Sequence, residues 1–185
     1  MSNNHNDNER RIVIGGTFDA LHKGHKEYIR MAFEISKNAL IYVSSDGFAN
    51  KNKKYKILPY EFRKQRIQQF IDELCEQLGK KIEYSIRPLP SRRHLGKDLS
   101  NKNDDGSKIT HALVTSEYYD LFLEFNRLRK KRKLKEIRIV TKPRSRTSDN
   151  MDISSSNIRQ GYVHDRACNY WIFNSKNNWR PSLAG

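Results

Sequence analysis

This chain is short of most features that would place it outside a single intracellular domain. It has two cysteines, Cys75 and Cys168, far apart and neither with a CxxC partner. That argues against a disulfide-stapled secreted scaffold and favours a reducing compartment. No apolar stretch approaches the length of a membrane span. The first residues, MSNNHNDNER, lack the apolar core of a secretory signal, so secretion is not expected and the cytoplasm is. There are no internal repeats. What remains is 185 residues, 36% hydrophobic and 31% charged, which suits one soluble domain with polar extensions.

Acidic residues are also scarce relative to basic ones. Lysine and arginine number 36 against 21 for aspartate and glutamate, a formal net charge of +15. A solvated basic surface explains this blandly. A polyanionic partner, either nucleic acid or a phosphorylated small molecule, explains it functionally. Much of the excess sits in KNKKYK (51–56), RLRKKRKLK (127–135) and KPRSR (142–146). The question is whether these clusters face one site.

Apolar periodicity alternates between two types along the chain. Strands are expected at 10–14, 39–46, 81–89, 111–116 and 136–142. Helices are expected at 24–36, from Pro59 onward, at 118–132 and from the serines of 153–161. The second helix carries the stripe Ile67, Phe70, Ile71, Leu74 and Leu78, the third Leu121, Phe122, Phe125 and Leu128. Alternation of this kind predicts an α/β fold, a Rossmann-like open parallel five-stranded sheet with helices on both faces. Residues 1–9 read as a disordered extension and 10–163 as the folded domain. Within it, 91–108 reads as a basic, mobile insert. The tail 164–185 carries Tyr170, Trp171, Phe173 and Trp179 and could dock on the body or on another subunit.

The stretch GGTFDALHKGH (15–25) follows the first strand, where an open parallel sheet binds ligands. Gly15 and Gly16 let a ligand approach the backbone. A helix opening near Gly24 offers free N–H groups to an anion. His22 and His25, three apart, share its first turn and can donate to phosphate oxygens. Neither GxGxxG nor a P-loop lysine is present. Asp19 reads as a turn carboxylate that supports the helix start.

These residues resemble the GGTFDxLHxGH signature of the HxGH nucleotidylyltransferase superfamily. Within it, the chain is similar to the archaeal and eukaryotic type of phosphopantetheine adenylyltransferase. SSDGFANKNKK, LPYEFRKQRI, LVTSEYYDLFLEFNRLRKKRKL and ISSSNIR each resemble a segment of that family, in order from about Arg10 to Gly161. Ser156 stands where the family usually has threonine, and Lys133 where it has glycine. The family's DPYGPA-like segment, which helps shape the acceptor side, is replaced here by LPSRRHLGKDLSNKNDDG.

The resemblance implies transfer of AMP from ATP to 4′-phosphopantetheine, giving dephospho-coenzyme A and pyrophosphate, with magnesium carried by the nucleotide. It assigns catalysis to His25, His22, Thr17 and Lys54. Nucleotide binding falls to Gly15, Gly16, Thr17, Phe18, His22, Gly24, His25, Ser116, Glu117, Asn126, Arg129, Ser154, Ser155, Ser156 and Arg159. The acceptor falls to Asp46 and to Lys51, Lys53 and Lys54, with spacing silent on which lysine reaches its phosphate. No protein metal site is implied, because the chain has no dense carboxylate cluster. A membrane partner is not expected, nucleic acid is disfavoured, and a homo-oligomer is left open. The rivals are a cytidylyl- or adenylyltransferase for another phosphorylated acceptor such as glycerol 3-phosphate, and a basic RNA-binding module.

Overall fold

The runs IVIGG and NALIYVS carry apolar or small residues on both faces, as strands covered on both sides do. In the computed structural model, which describes residues 10–51, 53, 55–159, 171–173 and 179–181, they form β1 (Ile12–Gly16) and β2 (Asn38–Ser44). With β3 (Glu83–Leu89), β4 (His111–Val114) and β5 (Arg138–Thr141) they build an all-parallel sheet in the order β3-β2-β1-β4-β5. This is the expected Rossmann-like α/β architecture. β1 does not stop before its glycines. It pairs through them, Gly15 opposite Tyr42 and Gly16 opposite Val43, because β2 is long enough to keep supplying partners.

Alternate residues of the central strands point to opposite layers. Ile12, Ile14, Ile41 and Val43 pack under α1 (Lys23–Ile35) and α3 (Tyr60–Leu78), through Ile29, Phe33, Ile67, Phe70 and Ile71. Val13, Leu40 and Tyr42 pack on the other face under α4 (Arg92–Ser100) and α5 (Tyr119–Lys131), through Leu95, Leu99, Phe122 and Phe125. Two single-turn helices, α2 (Asp46–Asn50) and α6 (Ser155–Arg159), follow β2 and the β5 loop. Leu78 and Leu128, expected on the buried stripes, are 48% and 42% exposed, each in the last turn of its helix. Trp171–Phe173 and Trp179–Pro181 pair as a two-stranded antiparallel ribbon, β6 and β7. The expected disorder of 1–9 and the docking of the tail lie outside the described residues.

The segment 91–108 corrects the reading of a mobile loop. Ser91 caps α4, accepting from the His94 N–H at 3.1 Å. Leu95 and Leu99, one helical turn apart, supply its core face. Gly96 lets α4 approach α5, since a Cβ there would stand 2.7 Å from the Phe125 ring. A one-turn 3-10 helix, Asp105–Lys108, follows. Charged residues surround the two leucines in sequence, which hid the helix.

Two further expectations are corrected on this side of the sheet. Arg129 is 1% exposed, and its guanidinium donates to the carbonyls of Lys135 (2.8 Å), Gly106 (3.2 Å), Ser107 (3.1 Å), Ile109 (3.2 Å) and Leu99. It closes the far ends of α4 and the 3-10 turn onto α5, with no donor turned to a ligand. Asn126 is likewise spent: its amide donates to the Ile137 carbonyl and accepts from the Ile137 N–H, both at 2.8 Å. It fixes the entry into β5.

Arg129→Met therefore strands buried carbonyls and is expected to cost about 3–5 kcal/mol. Urea unfolding of the variant, with nucleotide affinity measured on the folded protein, checks this. Weakened affinity in a protein as stable as the wild type would return Arg129 to the ligand.

Candidate active site

The strand order reverses between β1 and β4, and in open α/β sheets ligands bind in the crevice at that point. Here the crevice is a cleft of about 660 Å³ over the carboxyl ends of the strands. Its floor is the end of β1. One wall carries Phe48, Leu89, Leu95, Leu121 and Phe122, and the opposite side carries the histidine turn and the serines of 154–156.

The loop from β1 to α1 is held in an unusual backbone. Phe18 (φ 53°) and Leu21 (φ 38°) both occupy the left-handed region, though neither is glycine and both are buried. Such conformations persist only where the surroundings enforce them. They deliver His22 as the residue preceding α1 and His25 within its first turn. The two rings stack with centroids 3.8 Å apart and 22° between planes, and Phe18 leans on His25 at 5.1 Å. Burial, then the charge of His22, pushes the His25 pKa well below the ordinary histidine range. His25 is thus a neutral imidazole, and its Nδ1 is buried with no hydrogen-bond partner. Gly24 keeps this turn tight: a Cβ would stand 3.2 Å from the His22 ring and 3.3 Å from Ser145 Oγ, and both would have to give by a few tenths of an ångström.

Arg63, fully buried on α3, positions the opposite half of the cleft. Nη1 donates to the Thr17 carbonyl (2.8 Å), Nε to the Leu58 carbonyl (2.7 Å) and Nη2 to Asp46 Oδ1 (2.8 Å). Asp19 accepts from the Leu58 N–H at 2.8 Å, so it is a structural carboxylate, but this bond holds the segment before α3 and not the expected start of α1, which His22 precedes. Together they bring the segment after α2 across the cleft. Lys53 Nζ reaches Ser156 Oγ at 3.2 Å, and the Tyr55 hydroxyl meets the same oxygen at 2.9 Å.

The segment after β5 docks on the histidine turn. Lys142 Nζ donates to Ser145 Oγ (2.9 Å) and Glu27 Oε2 (3.4 Å), and Ser145 donates to Glu27. Burial raises the Glu27 pKa, but the Ser145 hydrogen bond and Lys142 outweigh it and hold the carboxyl below its usual value. Arg144 then reaches across to Glu117 with two hydrogen bonds, Nη2 to Oε1 at 2.7 Å and Nε to Oε2 at 3.2 Å.

Of the residues singled out from sequence, Gly15, Gly16, Thr17, Phe18, His22, Gly24, His25, Lys53, Glu117, Ser154, Ser155 and Ser156 line this one cleft. Three described ones do not join them, besides Asn126 and Arg129 of the fold: Lys51, Ser116 and Asp46. Lys51 is exposed outside the cleft lining, and Ser116 sits in an exposed turn while its neighbours Thr115 and Glu117 line it. Asp46 is committed to Arg63, and Lys54 lies outside the described residues. Arg159 is described only as backbone, in α6. Sequence reasoning missed Arg63, Tyr55, Lys142 and Arg144. KPRSR was noticed for its charge, and LPYEFRKQRI contained Arg63, but no spacing rule connects either to the histidines.

Among the described residues, no three His, Cys, Asp or Glu side chains converge as metal ligands, and no helix is long and apolar enough to cross a membrane.

Residues 13–161 match the family model described as cytidylyltransferase-like. The chain is 33% identical to the phosphopantetheine adenylyltransferase of Methanopyrus kandleri, over 86% of this chain and 94% of that one. It is 37% identical to the phosphopantetheine adenylyltransferase of Thermococcus kodakarensis, over 83% and 87%. A solved protein of unknown function from Archaeoglobus fulgidus shares the fold, with a TM-score of 0.57 at 23% identity, covering 78% of this chain and 99% of that one.

The buried imidazole has a consequence for stability. Folded His25 resists a proton that the unfolded chain accepts near pH 6.5. Below that pH the unfolded state binds the extra proton, so stability falls as pH drops from about 7 toward the depressed folded value. His111, lowered by burial and by Arg10 and Arg138, adds a slope of the same sign. Denaturant midpoints across pH 5–7 for wild type and His25→Gln should show a shallower acid-side slope in the variant. Equal slopes would mean that His25 titrates normally.

Proposed function

The chain belongs to the cytidylyltransferase-like family and, within it, to the phosphopantetheine adenylyltransferases, and from that premise we infer that it transfers AMP from ATP to 4′-phosphopantetheine. The products are dephospho-coenzyme A and pyrophosphate, and the reaction is a nucleotidyl transfer of coenzyme A biosynthesis. The observation that carries the reading is the stacked His22–His25 pair, which lines one cleft with the glycine end of β1, Lys53 and the serines of 154–156.

The acceptor's phosphate is already an anionic nucleophile, so no serine or cysteine needs activating. One of its oxygens bonds to the α-phosphorus of ATP, the bond from that phosphorus to the bridging oxygen breaks, and pyrophosphate leaves with the electron pair. Catalysis is then positioning and charge neutralisation. His25 and His22 donate ring N–H groups to the phosphate oxygens, with Thr17 beside them. The backbone of Gly15 and Gly16 lets the nucleotide lie close to β1. Ser154, Ser155 and Ser156, with Arg159, take the outer phosphates. Lys53, and with it Lys54, serves the acceptor phosphate. The apolar wall of Phe48, Leu89, Leu95, Leu121 and Phe122 suits an uncharged pantetheine arm, and α4 supplies Leu95 from the segment that replaces the family's usual one.

Magnesium enters as part of the ATP substrate, and the residues of the cleft engage the phosphates it accompanies. The cytoplasm is the compartment that fits the reading. RNA binding has less support: RLRKKRKLK lies at the end of α5 away from the cleft, so the three basic clusters form no single stripe.

Purified protein should release pyrophosphate from ATP with 4′-phosphopantetheine, and not with glycerol 3-phosphate or nicotinamide mononucleotide, nor with CTP in place of ATP. His25→Ala should lose on the order of 10²–10³ in turnover, as loss of one donor to a developing charge does. Release with a different pair would keep nucleotidyl transfer and replace the acceptor. Full turnover in His25→Ala would remove the histidine from the chemistry.

A further inference from the structure

KPRSR follows β5 as a charge run that no motif explains, yet the fold seats it directly on the histidine turn. Ser145 Oγ would touch a Cβ at Gly24, the glycine between the two histidines. Lys142 and Ser145 clamp the run to Glu27 of α1. Arg144 lies between these anchors, so the anchors fix its backbone beside the place where the reacting phosphates lie. Arg144 lines the cleft.

The partners of Arg144 differ in kind from those of the buried arginines. Arg63 and Arg129 are fully buried and hold mainly main-chain carbonyls, with Asp46 as the one carboxylate on Arg63. Arg144 is about half exposed and holds only carboxylates: Glu117 by two hydrogen bonds, and Asp152 at 3.6 Å. An exposed pair of this sort is worth little in water, so its exchange costs little. Guanidinium binds carboxylate and phosphate through the same planar fork. Lys142, the other cation of the run, is only 14% exposed and already occupied by Glu27, Ser145 and the Pro143 carbonyl. The arginine that the resemblance assigned to the triphosphate, Arg129, is spent elsewhere. Two arginines line the cleft among the described residues: Arg92, at the start of α4 over the Tyr118 ring at 5.4 Å, and Arg144, which alone of the two lies on the segment docked against the histidine turn.

We propose that Arg144 is a phosphate ligand of ATP, parked on Glu117 in the free protein and transferred to the nucleotide when it binds. Glu117 is then the residue that keeps Arg144 in place, and not itself a ligand. The inference rests on the nucleotide half of the function above and is independent of which acceptor is used.

Calorimetric titration of magnesium-ATP into wild type, Arg144→Ala, Arg144→Lys and Glu117→Gln, without acceptor, tests it. Loss of a charge-assisted pair to phosphate should weaken binding about 10- to 100-fold in Arg144→Ala. Lysine should restore only part, because it lacks the fork. Glu117→Gln frees the guanidinium and should bind as tightly as wild type or tighter. The affinity should also fall less with added salt in Arg144→Ala than in wild type, with melting temperature unchanged. Binding by Arg144→Ala within twofold of wild type would reduce the pair to a surface bridge and overturn the proposal. Glu117→Gln weakening as much as Arg144→Ala would overturn it differently, making Glu117 the ligand and Arg144 its support. Failure of the wild type itself to bind ATP would sink the functional reading along with it.

Discussion

A guanidinium with no water around it has to place every donor, and Arg63 meets that demand in a way that sets the cleft. Its three bonds run to the Thr17 carbonyl, the Leu58 carbonyl and Asp46, which belong to the loop after β1, the segment before α3 and the start of α2. Because an unpartnered buried charge is costly, these three segments cannot drift apart without losing several kcal/mol, on the order of 3–5. Asp19 adds a second tie from the β1 loop to the Leu58 N–H. Thr17 thereby acquires a fixed carbonyl and a hydroxyl facing Ser44, and the Lys53–Tyr55 segment acquires fixed ends. The positions of reactive side chains follow from an arginine that touches no ligand.

Arg129 solves the same problem at the opposite end of the sheet. Its five carbonyls cap the α4 and 3-10 segment, so that segment can be charged and still ordered. This explains why the sequence misled at two places at once. An arginine at a fixed place in a motif looks identical whether its fork meets a phosphate or a row of main-chain oxygens. A segment as polar as 91–108 looks unstructured when its order comes from a distant arginine and two leucines. Both signals are tertiary, and neither leaves a local pattern.

The central strands, in contrast, were legible because a doubly covered parallel sheet writes itself as uninterrupted apolar runs such as ALIYV, while β3 at the sheet edge was legible from alternation instead. The histidine turn was legible because its requirements are local: glycines where backbone must be approached, and two histidines one turn apart. Even there the sequence could not show what crowds Gly24. The answer, contact with His22 and with Ser145 from the far side of the sheet, appears only once β5 lies beside β4. Asp46 shows the converse error. A carboxylate near a run of lysines reads as part of their binding site, but burial of Arg63 claimed it.

Burial also sorts the cations of the cleft into two populations. Lys142 is mostly covered and held by three oxygens, so moving it would undo the seat of the KPRSR segment on α1. Lys53 and Arg144 are exposed, and each rests on a partner that water could replace, Ser156 in one case and Glu117 in the other. His25 completes the contrast, since its neutral ring has a buried nitrogen with no protein partner at all. A polyanion entering such a cleft brings the counter-charge that burial withholds from His25, and offers Lys53 and Arg144 stronger acceptors than the ones they hold. The free site is therefore built with its fixed charges neutralised and its mobile charges lightly held. On the proposed roles, affinity for phosphate, the nucleotide's at Arg144 and the acceptor's at Lys53, comes from exchange of weak partners for strong ones, with the scaffold of Arg63, Lys142 and Glu27 left in place.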